Sequence, residues 1–314
     1  MGTQANQALP EGYQLQNYRI AQQLSGGGFS MVYLAYDEQG APVAIKEYLP
    51  SALALRQGGC TVTPSNADNL AAFRYGMKCF FEEGRALASI SHPNVVRVLN
   101  FFRAHDTVYM VMQYERGKTL QDHIQANKGT LKESFLRRVF AQLLNGLREV
   151  HTHKILHLDV KPSNIYLRMD GSPVLIDFGA ARQTLTDQGP KLSPMYTPGF
   201  AAPEQYSKNR DALGPWTDIY GVGASIFACM AGLAPQPGDA RAEDDRFVST
   251  KKLWGGKYSD HLLEIVDWCL RLDHMARPQS VFGLQKALLE RVPEPPRKRS
   301  LMHSLRATLT KEIF

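Results

Sequence analysis

Cysteine is scarce in this chain, and no two cysteines are spaced as a ligand pair. The four are Cys60, Cys79, Cys229 and Cys269, with no CxxC motif among them. A chain of 314 residues can bury a core without disulfide staples, and CxxC spacing is typical of zinc sites. We therefore expect reduced, structural thiols and no CxxC-type metal site.

The sequence also lacks a long apolar run. Residues 1–16 are polar, with neither a basic leader nor an apolar core, which argues against a secretory signal. The longest uncharged stretch, Ile219 to Gly238, contains four glycines and two prolines, which a spanning helix of about 20 apolar residues rarely tolerates. We expect a buried helix followed by a loop there, no transmembrane segment, and a cytoplasmic protein.

Positive charge is in excess but is concentrated at one end. The net charge is +6, and half of it, +3, falls in the last 22 residues. The remainder of the chain is close to balanced, which is typical of a solvated surface and argues against a specific nucleic-acid site. A nucleic-acid or membrane-binding module is an alternative that only this charge supports.

Short β-type segments, separated by Gly-rich or polar breaks, dominate the first third of the chain. They lie at residues 18–24, 32–36, 43–48, 95–103 and 108–114. From Leu120 onward the apolar spacing becomes helical, as in the series Phe135, Val139, Leu143, Leu147 and Val150 and again between Leu262 and Leu270. The pattern predicts an α+β fold with an antiparallel front and a mainly helical back. Prolines at 293, 295 and 296 end the last regular helix near Val292.

A glycine-rich turn lies between two of the predicted strands. It spans Leu24 to Ser30 and reads Leu-Ser-Gly-Gly-Gly-Phe-Ser, so its backbone N–H groups can approach phosphate oxygens. Alone this is weak, because most such hairpins are only turns. The next strand carries Val43-Ala-Ile-Lys46, and alternation turns Ala44 and Lys46 to one face. A helical segment, Phe80 to Ile90, supplies Glu82 and Glu83, and a Lys–Glu pair would hold the ammonium group at α- and β-phosphates.

The densest signal is His157-Leu-Asp-Val-Lys-Pro-Ser-Asn164, followed by Val174-Leu-Ile-Asp-Phe-Gly179. Asp159 could orient a hydroxyl and accept its proton, and Lys161 could neutralise a moving phosphoryl group. Asn164 and Asp177 offer the hard oxygen ligands that magnesium prefers. Each residue alone also fits an ordinary turn, but the ordered set indicates phosphoryl transfer.

These motifs resemble those of the eukaryotic-like (Hanks-type) serine/threonine protein kinases, in particular bacterial members. The resemblance runs from Tyr18 to Val292 and includes Ala202-Pro-Glu204, Asp218 and Arg277. It implies a bilobal protein kinase fold, with a β-rich N-lobe that carries an αC helix and a mainly α-helical C-lobe. The implied divisions are an N-terminal extension at 1–16, an N-lobe at about 17–113, a C-lobe at about 114–292 and a basic tail at 293–314.

The resemblance also implies an activity and its site residues. The activity is transfer of the ATP γ-phosphoryl group to Ser or Thr of protein substrates, with autophosphorylation, and with Mg²⁺, or Mn²⁺ as an alternative ion. The catalytic set is Asp159, Lys161, Lys46, Glu83 and Thr197, and the metal ligands are Asn164 and Asp177. The nucleotide would be bound by Leu24, Ser25, Gly26, Gly27, Gly28, Phe29, Ser30, Val32, Ala44, Lys46, Met112, Gln113, Glu115 and Tyr166. Met112 takes the gatekeeper position, and Glu204 and Arg277 match the family's buried structural ion pair.

The sequence departs from the family pattern at several positions. Ser25 and Ser30 replace glycines of the phosphate-binding loop, which predicts weaker or slower closure over ATP. Leu158 replaces the arginine that pairs with an activation-loop phosphate. We therefore expect a kinase that is constitutively competent or controlled by a partner, rather than switched by phosphate on Thr184, Thr186 or Ser193.

Two segments have no counterpart in the family core. About twenty extra residues lie within Pro50 to Arg74, and we favour a surface excursion over a regulatory pad beside the αC helix. In the tail, Leu301, Leu305, Leu309 and Ile313 recur every four residues behind a basic run. This predicts either a basic amphipathic helix that docks on the kinase, a partner or an anionic membrane, or a disordered segment. Ser300 and Thr308 are candidate autophosphorylation sites.

The sequence leaves two further alternatives with a related fold. A pseudokinase scaffold is disfavoured because Lys46, Glu83, Asp159, Asn164 and Asp177 are all present. A small-molecule kinase with a related fold would share most of these residues but would generally lack Ala202-Pro-Glu204. That segment favours a protein substrate.

Overall fold

Six strands of the first lobe form one antiparallel sheet in the order β1-β2-β3-β4-β8-β7. The computed structural model describes residues 6–56, 58–127, 131–178, 196–207 and 209–290. The strands are β1 Gln14–Leu15, β2 Tyr18–Gly26, β3 Ser30–Tyr36, β4 Pro42–Tyr48, β7 Val98–Ala104 and β8 Thr107–Gln113. Each predicted strand is found within a few residues of its expected bounds.

The second lobe is mainly helical. Its helices are α2 Leu120–Ala126, α3 Glu133–Thr152, α4 Pro215–Ala231, α5 Gly238–Glu243, α6 Thr250–Trp254, α7 Asp260–Cys269 and α8 Val281–Leu289. A small sheet of β9 Gly117–Thr119, β10 Ile165–Arg168 and β11 Pro173–Leu175 lies in the order β11-β10-β9. The predicted α+β, bilobal class is confirmed.

Helix α4 is the buried helix that the long uncharged stretch predicts. All of its residues from Thr217 to Met230 are buried. It ends at Gly232, whose φ of +79° suits glycine as a left-handed C-cap. A loop follows, as expected. Within the described ranges, no helix has both the length and the apolar character needed to span a bilayer.

Helix α1, Leu70–Ala88, begins ten residues before the predicted helical segment. Asn66 initiates a short turn by accepting a hydrogen bond from the backbone N–H of Asn69, and the α-helix continues directly from it. Phe73, Phe80 and Leu87 recur along one buried face of this helix. The predicted segment is therefore the second part of a longer helix, whose first turns are also mostly apolar and bury Phe73 and Gly76.

The insertion after β4 is not a surface excursion. It forms a hairpin of β5 Ala54–Arg56 and β6 Val62–Pro64, and it buries Leu53 and Val62 in the core. Residues 6–16 pack beside it: Asn6 hydrogen-bonds the backbone of both Ala54 and Arg56. The expectation of a surface excursion was wrong because the hairpin covers the sheet face opposite the one that carries Lys46.

A buried ion pair anchors this hairpin. Glu47 and Arg56 are in contact, and both are at most 2% exposed. The Glu47 carboxylate also accepts hydrogen bonds from Tyr33 Oη at 2.8 Å and Tyr109 Oη at 2.6 Å. Burial opposes the charge of Arg56, but the bond to Glu47 outweighs it and raises the pKa of Arg56. The cluster is satisfied, so burying both charges is tolerated.

Candidate active site

Strand β4 places Lys46 in the N-lobe sheet, between β3 and β8. Lys46 lies opposite Val32 on β3 and Met110 on β8, and it is 4% exposed. Its ammonium group lies 5.5 Å from the ring centroid of Phe80 on α1 and forms an ion pair with Asp177. A buried lysine needs such a carboxylate partner to stay charged.

Glu83 lies half-buried on α1, three residues after Phe80. Positions three apart share one helix face, so Glu83 occupies the turn next to the ring that Lys46 contacts. In this structure Lys46 is paired with Asp177. The Lys46–Glu83 pair stays a prediction.

The glycine-rich turn connects β2 and β3, as predicted. The N–H of Gly27 donates to Ser30 O at 3.0 Å and closes the turn. The segment after β4 holds the turn from one side, because Leu49 N donates to Phe29 O and Ser51 N donates to Gly28 O. The Phe29 ring packs edge-on against Tyr48 at 5.2 Å.

One buried carboxylate shapes the loop before Asp159. Asp218, at the start of α4, accepts hydrogen bonds from the backbone N–H groups of His157 and Leu158, at 2.9 and 2.7 Å, and from His151. Burial pushes the pKa of Asp218 up, but the hydrogen bond and charge of His151 outweigh it and hold that pKa below its usual range. The bonds fix Leu158 at a φ of +62°, which a leucine rarely adopts.

His157 is fully buried and neutral. Burial lowers the pKa of His157 below its ordinary value, against the opposing influence of Asp218. Its Nδ1 accepts from the backbone N–H of Asp159 at 3.2 Å, so Nε2 carries the proton and donates to Ile176 O at 3.1 Å. The ring also packs on Phe178 at 4.3 Å. His157 therefore joins the loop of Asp159 to the segment of Asp177.

Asp159 is surrounded by the polar groups that the sequence predicts. Thr197 Oγ1 donates to Asp159 Oδ1 at 2.9 Å, and Lys161 Nζ donates to Thr197 Oγ1 at 2.7 Å. Lys161 also lies 2.9 Å from Asp159 Oδ2, and Asn164 Nδ2 donates to that oxygen at 2.9 Å. The carboxylate is therefore oriented from both sides.

Asn164 connects this cluster to Asp177. Its Nδ2 donates to Asp159 O at 2.9 Å and to Asp177 O at 3.2 Å, in addition to the Asp159 carboxylate. The amide nitrogen is thus fully used, which leaves Oδ1 as its ligand atom. Within the described residues, no group of three or more His, Cys, Asp or Glu side chains could hold a metal ion.

The predicted adenine-binding residues lie on strands of both lobes. Ala44 lies opposite Met112 across β4 and β8, and Met112 is 9% exposed. Tyr166 sits in the middle of β10, paired with Val174 and Thr119. Burial raises the pKa of Tyr166, so its ring is neutral.

Two groups hold the site to the rest of the C-lobe. Arg277 and Glu204 form the predicted buried ion pair, with bonds of 2.7 and 3.0 Å. Glu204 also accepts from Thr217 on α4 at 2.9 Å. Gln205, which follows in sequence, donates to Leu158 O at 2.9 Å and so stabilises the loop that carries Asp159.

Sequence reasoning missed several supporting residues. Three of them belong to no motif: Phe80, which contacts Lys46; Gln205, which bonds Leu158; and His151, which bonds Asp218. Arg168 was also missed; its guanidinium forms a two-pronged pair with Glu115 at 2.8 and 2.7 Å. The only available signal was the helical spacing of Phe80 with other apolar residues, which indicates burial and not a contact with lysine.

The chain is similar to protein kinases along most of its length. The model of the protein kinase domain family matches residues 18–289. Sperm motility kinase 2B of Mus musculus is 30% identical over 219 residues, covering 69% of this chain and 40% of that protein. Serine/threonine-protein kinase B of Synechocystis sp. is 25% identical over 289 residues, covering 87% of this chain and 47% of that protein. The chain thus spans less than half the length of these relatives.

Solved structures give the same result. The structure titled "PpkA-294 apo form" is 34% identical, has a TM-score of 0.82, and covers 90% of this chain and 99% of its own. The kinase domain of PknI from Mycobacterium tuberculosis is 18% identical with a TM-score of 0.68, covers 90% of this chain and 98% of its own, and shows the fold alone. Because the family model extends over both lobes and the site described above, the chain belongs to the protein kinase family.

Proposed function

We propose that this chain is an active protein serine/threonine kinase that uses ATP and Mg²⁺. The observation that carries the proposal is the Asp159 carboxylate, held between Thr197, Lys161 and Asn164 and joined through Asn164 to Asp177. A scaffold that only bound partners would have no need for so many polar groups around one carboxylate. The similarity to a bacterial serine/threonine kinase agrees with this class and with a bacterial member.

Asp159 would position the Ser or Thr hydroxyl of a protein substrate and accept its proton. The hydrogen bond from Thr197 leaves the carboxylate oriented before substrate arrives, and such positioning supplies much of the catalysis in phosphoryl transfer. Lys161, 15% exposed at its side chain, would neutralise the charge that develops on the phosphoryl oxygens. Lys46 would bind the α- and β-phosphates from the N-lobe side.

Two oxygen ligands fit a magnesium ion. Asn164 Oδ1 is the atom left by its hydrogen bonds, and the Asp177 carboxylate, 32% exposed, faces Lys46. Mg²⁺ is typically bound by one or two protein oxygens plus phosphates and water, so a larger carboxylate cluster is not needed. When bound, the ion neutralises phosphate charge. On this proposal Asp177 leaves Lys46 for the metal, and Glu83 takes its place beside the lysine.

The nucleotide would lie under the glycine-rich turn. Gly27 and its neighbours would donate backbone N–H groups, and Val32, Ala44 and Tyr166 would enclose the adenine. Ser25 and Ser30 lie at the two ends of this turn, on β2 and β3. Their Cβ atoms narrow the range of turn conformations, so we expect modest nucleotide affinity rather than loss of binding.

Switching through a phosphate paired at position 158 is unavailable on this proposal, because Leu158 has no charge to offer a phosphate. The loop is instead shaped by Asp218 and Gln205, which bond the backbone on both sides of Leu158. We therefore infer constitutive activity or control by a partner. Thr184, Thr186 and Ser193, as well as the tail at 293–314 with Ser300 and Thr308, lie outside the described residues. A cytoplasmic location, protein substrates and any membrane contact by the tail also stay predictions.

The proposal is tested by transfer of the γ-phosphoryl group from radiolabelled ATP with Mg²⁺ to a generic basic protein, using the purified full chain. We expect labelling that Asp159→Asn lowers about 10²–10⁴-fold, because the general base is lost. Adding EDTA should abolish labelling. Phosphatase treatment of the chain should leave activity unchanged.

A matched measurement separates catalysis from folding. Asp159→Asn should still show a nucleotide-induced rise in melting temperature, because ligand binding stabilises the folded state. A wild-type chain that melts higher with Mg·ATP but transfers no phosphate to itself or to any polypeptide would be a pseudokinase, and the proposal would be wrong.

A further inference from the structure

A second concave surface lies on the N-lobe, outside the active site. It is a cavity of about 550 Å³ between α1, β6 and the turn that joins β7 to β8. We call it the α1 groove. Its apolar floor is formed by Val62, Pro64, Leu70, Phe73, Met77 and Ala104. Because Val62 and Pro64 belong to the inserted hairpin, this groove is built by the segment that departs from the family pattern.

The rim of the α1 groove is charged. Arg74 on α1 and Arg103 at the end of β7 contribute two guanidinium groups, and Asp106 contributes one carboxylate. In the part of the chain that the structure describes, neither arginine takes part in an ion pair; Arg103 lies over the ring of Phe81 at 5.6 Å. His105 also lines the groove, and burial followed by the charge of Arg56 lowers its pKa, so it is neutral. The rim is therefore net positive.

The floor is in contact with the active site through aromatic rings. Phe73, on the floor, stacks on Tyr48 at 5.5 Å. Tyr48 also packs against Phe29 of the glycine-rich turn at 5.2 Å and against Phe80 at 5.7 Å, and Phe80 lies under Lys46. Tyr48 is fully buried, and its hydroxyl has no hydrogen-bond partner among the described residues, so packing alone sets the position of its ring.

We propose that the α1 groove is a docking site for an acidic, amphipathic segment of a partner protein, and that its occupancy is coupled to nucleotide binding through Tyr48. Apolar side chains of the segment fill the floor, and its carboxylates pair with Arg74 and Arg103. The volume of the cavity falls within the range of about 300–1,000 Å³ that is typical of ligand-binding pockets. The docking half of the proposal stands apart from the kinase activity; the coupling half rests on the proposed nucleotide site.

Charge decides between this occupant and the tail of the chain itself. Residues 291–314 carry six basic and two acidic side chains, which the two arginines of the rim would repel. An acidic segment instead gains from both arginines. Electrostatic complementarity of this kind selects partners and disfavours wrong ones.

Fluorescence polarisation with the full chain tests the docking half. The probe is a short labelled peptide in which Glu alternates with Leu and Phe, and the comparison peptide is residues 297–314 of this chain. We expect the acidic probe to bind and Arg74→Glu to weaken it at least ten-fold. Leu70→Asn should also weaken binding of the acidic probe, because Leu70 is 37% exposed on the floor of the groove and its apolar surface can contact the probe. The matched control is Arg85→Glu on the same helix, outside the groove, which should bind normally.

Three outcomes overturn the docking half. These are no binding of the acidic probe, binding that Arg74→Glu leaves unchanged, or preferential binding of the 297–314 peptide. Sedimentation should show that the chain does not dimerise through this surface; a dimer that Arg74→Glu dissociates would assign the groove to a second copy instead.

Reciprocity tests the coupling half. If the groove and the nucleotide site share Tyr48, Mg·AMP-PNP should tighten the acidic probe about five-fold or more, and the probe should tighten the nucleotide by the same factor. A nucleotide-induced melting shift in the same sample shows that the nucleotide is bound. Probe affinity that is unchanged although that shift is present would refute the coupling.

Discussion

Tyr48 and Tyr109 are both buried tyrosines of the N-lobe sheet, but their hydroxyl groups differ. Tyr109 Oη donates to Glu47 at 2.6 Å and receives a bond from His105 Nδ1 at 2.9 Å. Tyr48 Oη has no hydrogen-bond partner among the described residues. Removing the two hydroxyls should therefore change the free energy of unfolding differently. A buried hydroxyl without a hydrogen-bond partner destabilises the folded state, whereas a hydrogen-bonded one does not.

We expect Tyr109→Phe to lower the free energy of unfolding by about 1–3 kcal/mol, because the buried Glu47 loses a hydrogen bond. Tyr48→Phe keeps the ring contacts and removes only the unpaired hydroxyl, so the free energy should change by less than about 1 kcal/mol or rise. Urea unfolding of both variants measures the difference. A larger loss for Tyr48→Phe than for Tyr109→Phe would contradict the assigned hydrogen bonds.

At the scale of elements, helix α4 sets the position of the loop that carries Asp159 by close approach. Asp218 bonds the loop backbone, and Gly221, one turn later, lies against Val160. A Cβ at Gly221 would come within 2.7 Å of Val160 O and 3.0 Å of Val160 Cβ. Contacts with backbone cannot be relieved by rotating a side chain, so the helix or the loop would have to move.

Gly221→Ala should destabilise the protein by about 1–3 kcal/mol through overpacking, although alanine is the better helix former. The same displacement should reduce phosphoryl transfer, because Asp159 precedes Val160 directly. Thermal unfolding and the transfer assay measure both effects. Gly59→Ala is the control: a Cβ there meets nothing within 4 Å, and we expect stability and activity to match the wild type.

The inserted hairpin shows how an element can change its role when the chain folds. Its sequence, rich in glycine and polar residues, indicates an exposed loop. Arg56 nevertheless enters the core, because Glu47 on β4 points to the face opposite Lys46 and needs a cation. No local pattern reveals that Glu47 and Arg56 are partners, since nine positions separate them and the hairpin has to form first.

For the whole molecule, histidines whose pKa is lowered by burial or partial burial make stability depend on pH. The pKa of His157 and that of His105 both lie below the ordinary value of 6.5, in each case mainly because of burial. Above that value neither the folded nor the unfolded state binds the proton. Below it the unfolded chain takes up protons that the folded protein resists, so stability falls as the pH falls.

We therefore expect the melting temperature to fall between about pH 7.5 and about pH 5.5, a window in which ordinary carboxylates do not titrate. His105→Asn should make this fall shallower, because one histidine with a lowered pKa is removed and Asn tolerates the φ of +52° at this position. Differential scanning calorimetry at several pH values measures the slope. An equal slope in the variant would show that His105 does not contribute.

The sequence by itself determined the α+β fold class and the positions of the strands along the chain, and it predicted the polar residues of the candidate site. Alternation, turn-forming residues and spacing are local properties, so the sequence alone reveals them. They mark the strand Val43-Ala-Ile-Lys46 and the run from His157 to Asn164. Asn164 lies only five residues from Asp159, so a local motif places it there, whereas Thr197 reaches Asp159 from 38 residues away.

Only the tertiary structure decided which groups meet from distant parts of the chain. Lys46 contacts Asp177 and Phe80, Arg56 contacts Glu47, and Gln205 supports Leu158. Such contacts depend on how strands and helices pack. The sequence does not show whether a hydrophobic or charged residue is exposed to solvent or contacts a buried partner. The start of α1, the buried hairpin and the α1 groove all follow from that packing.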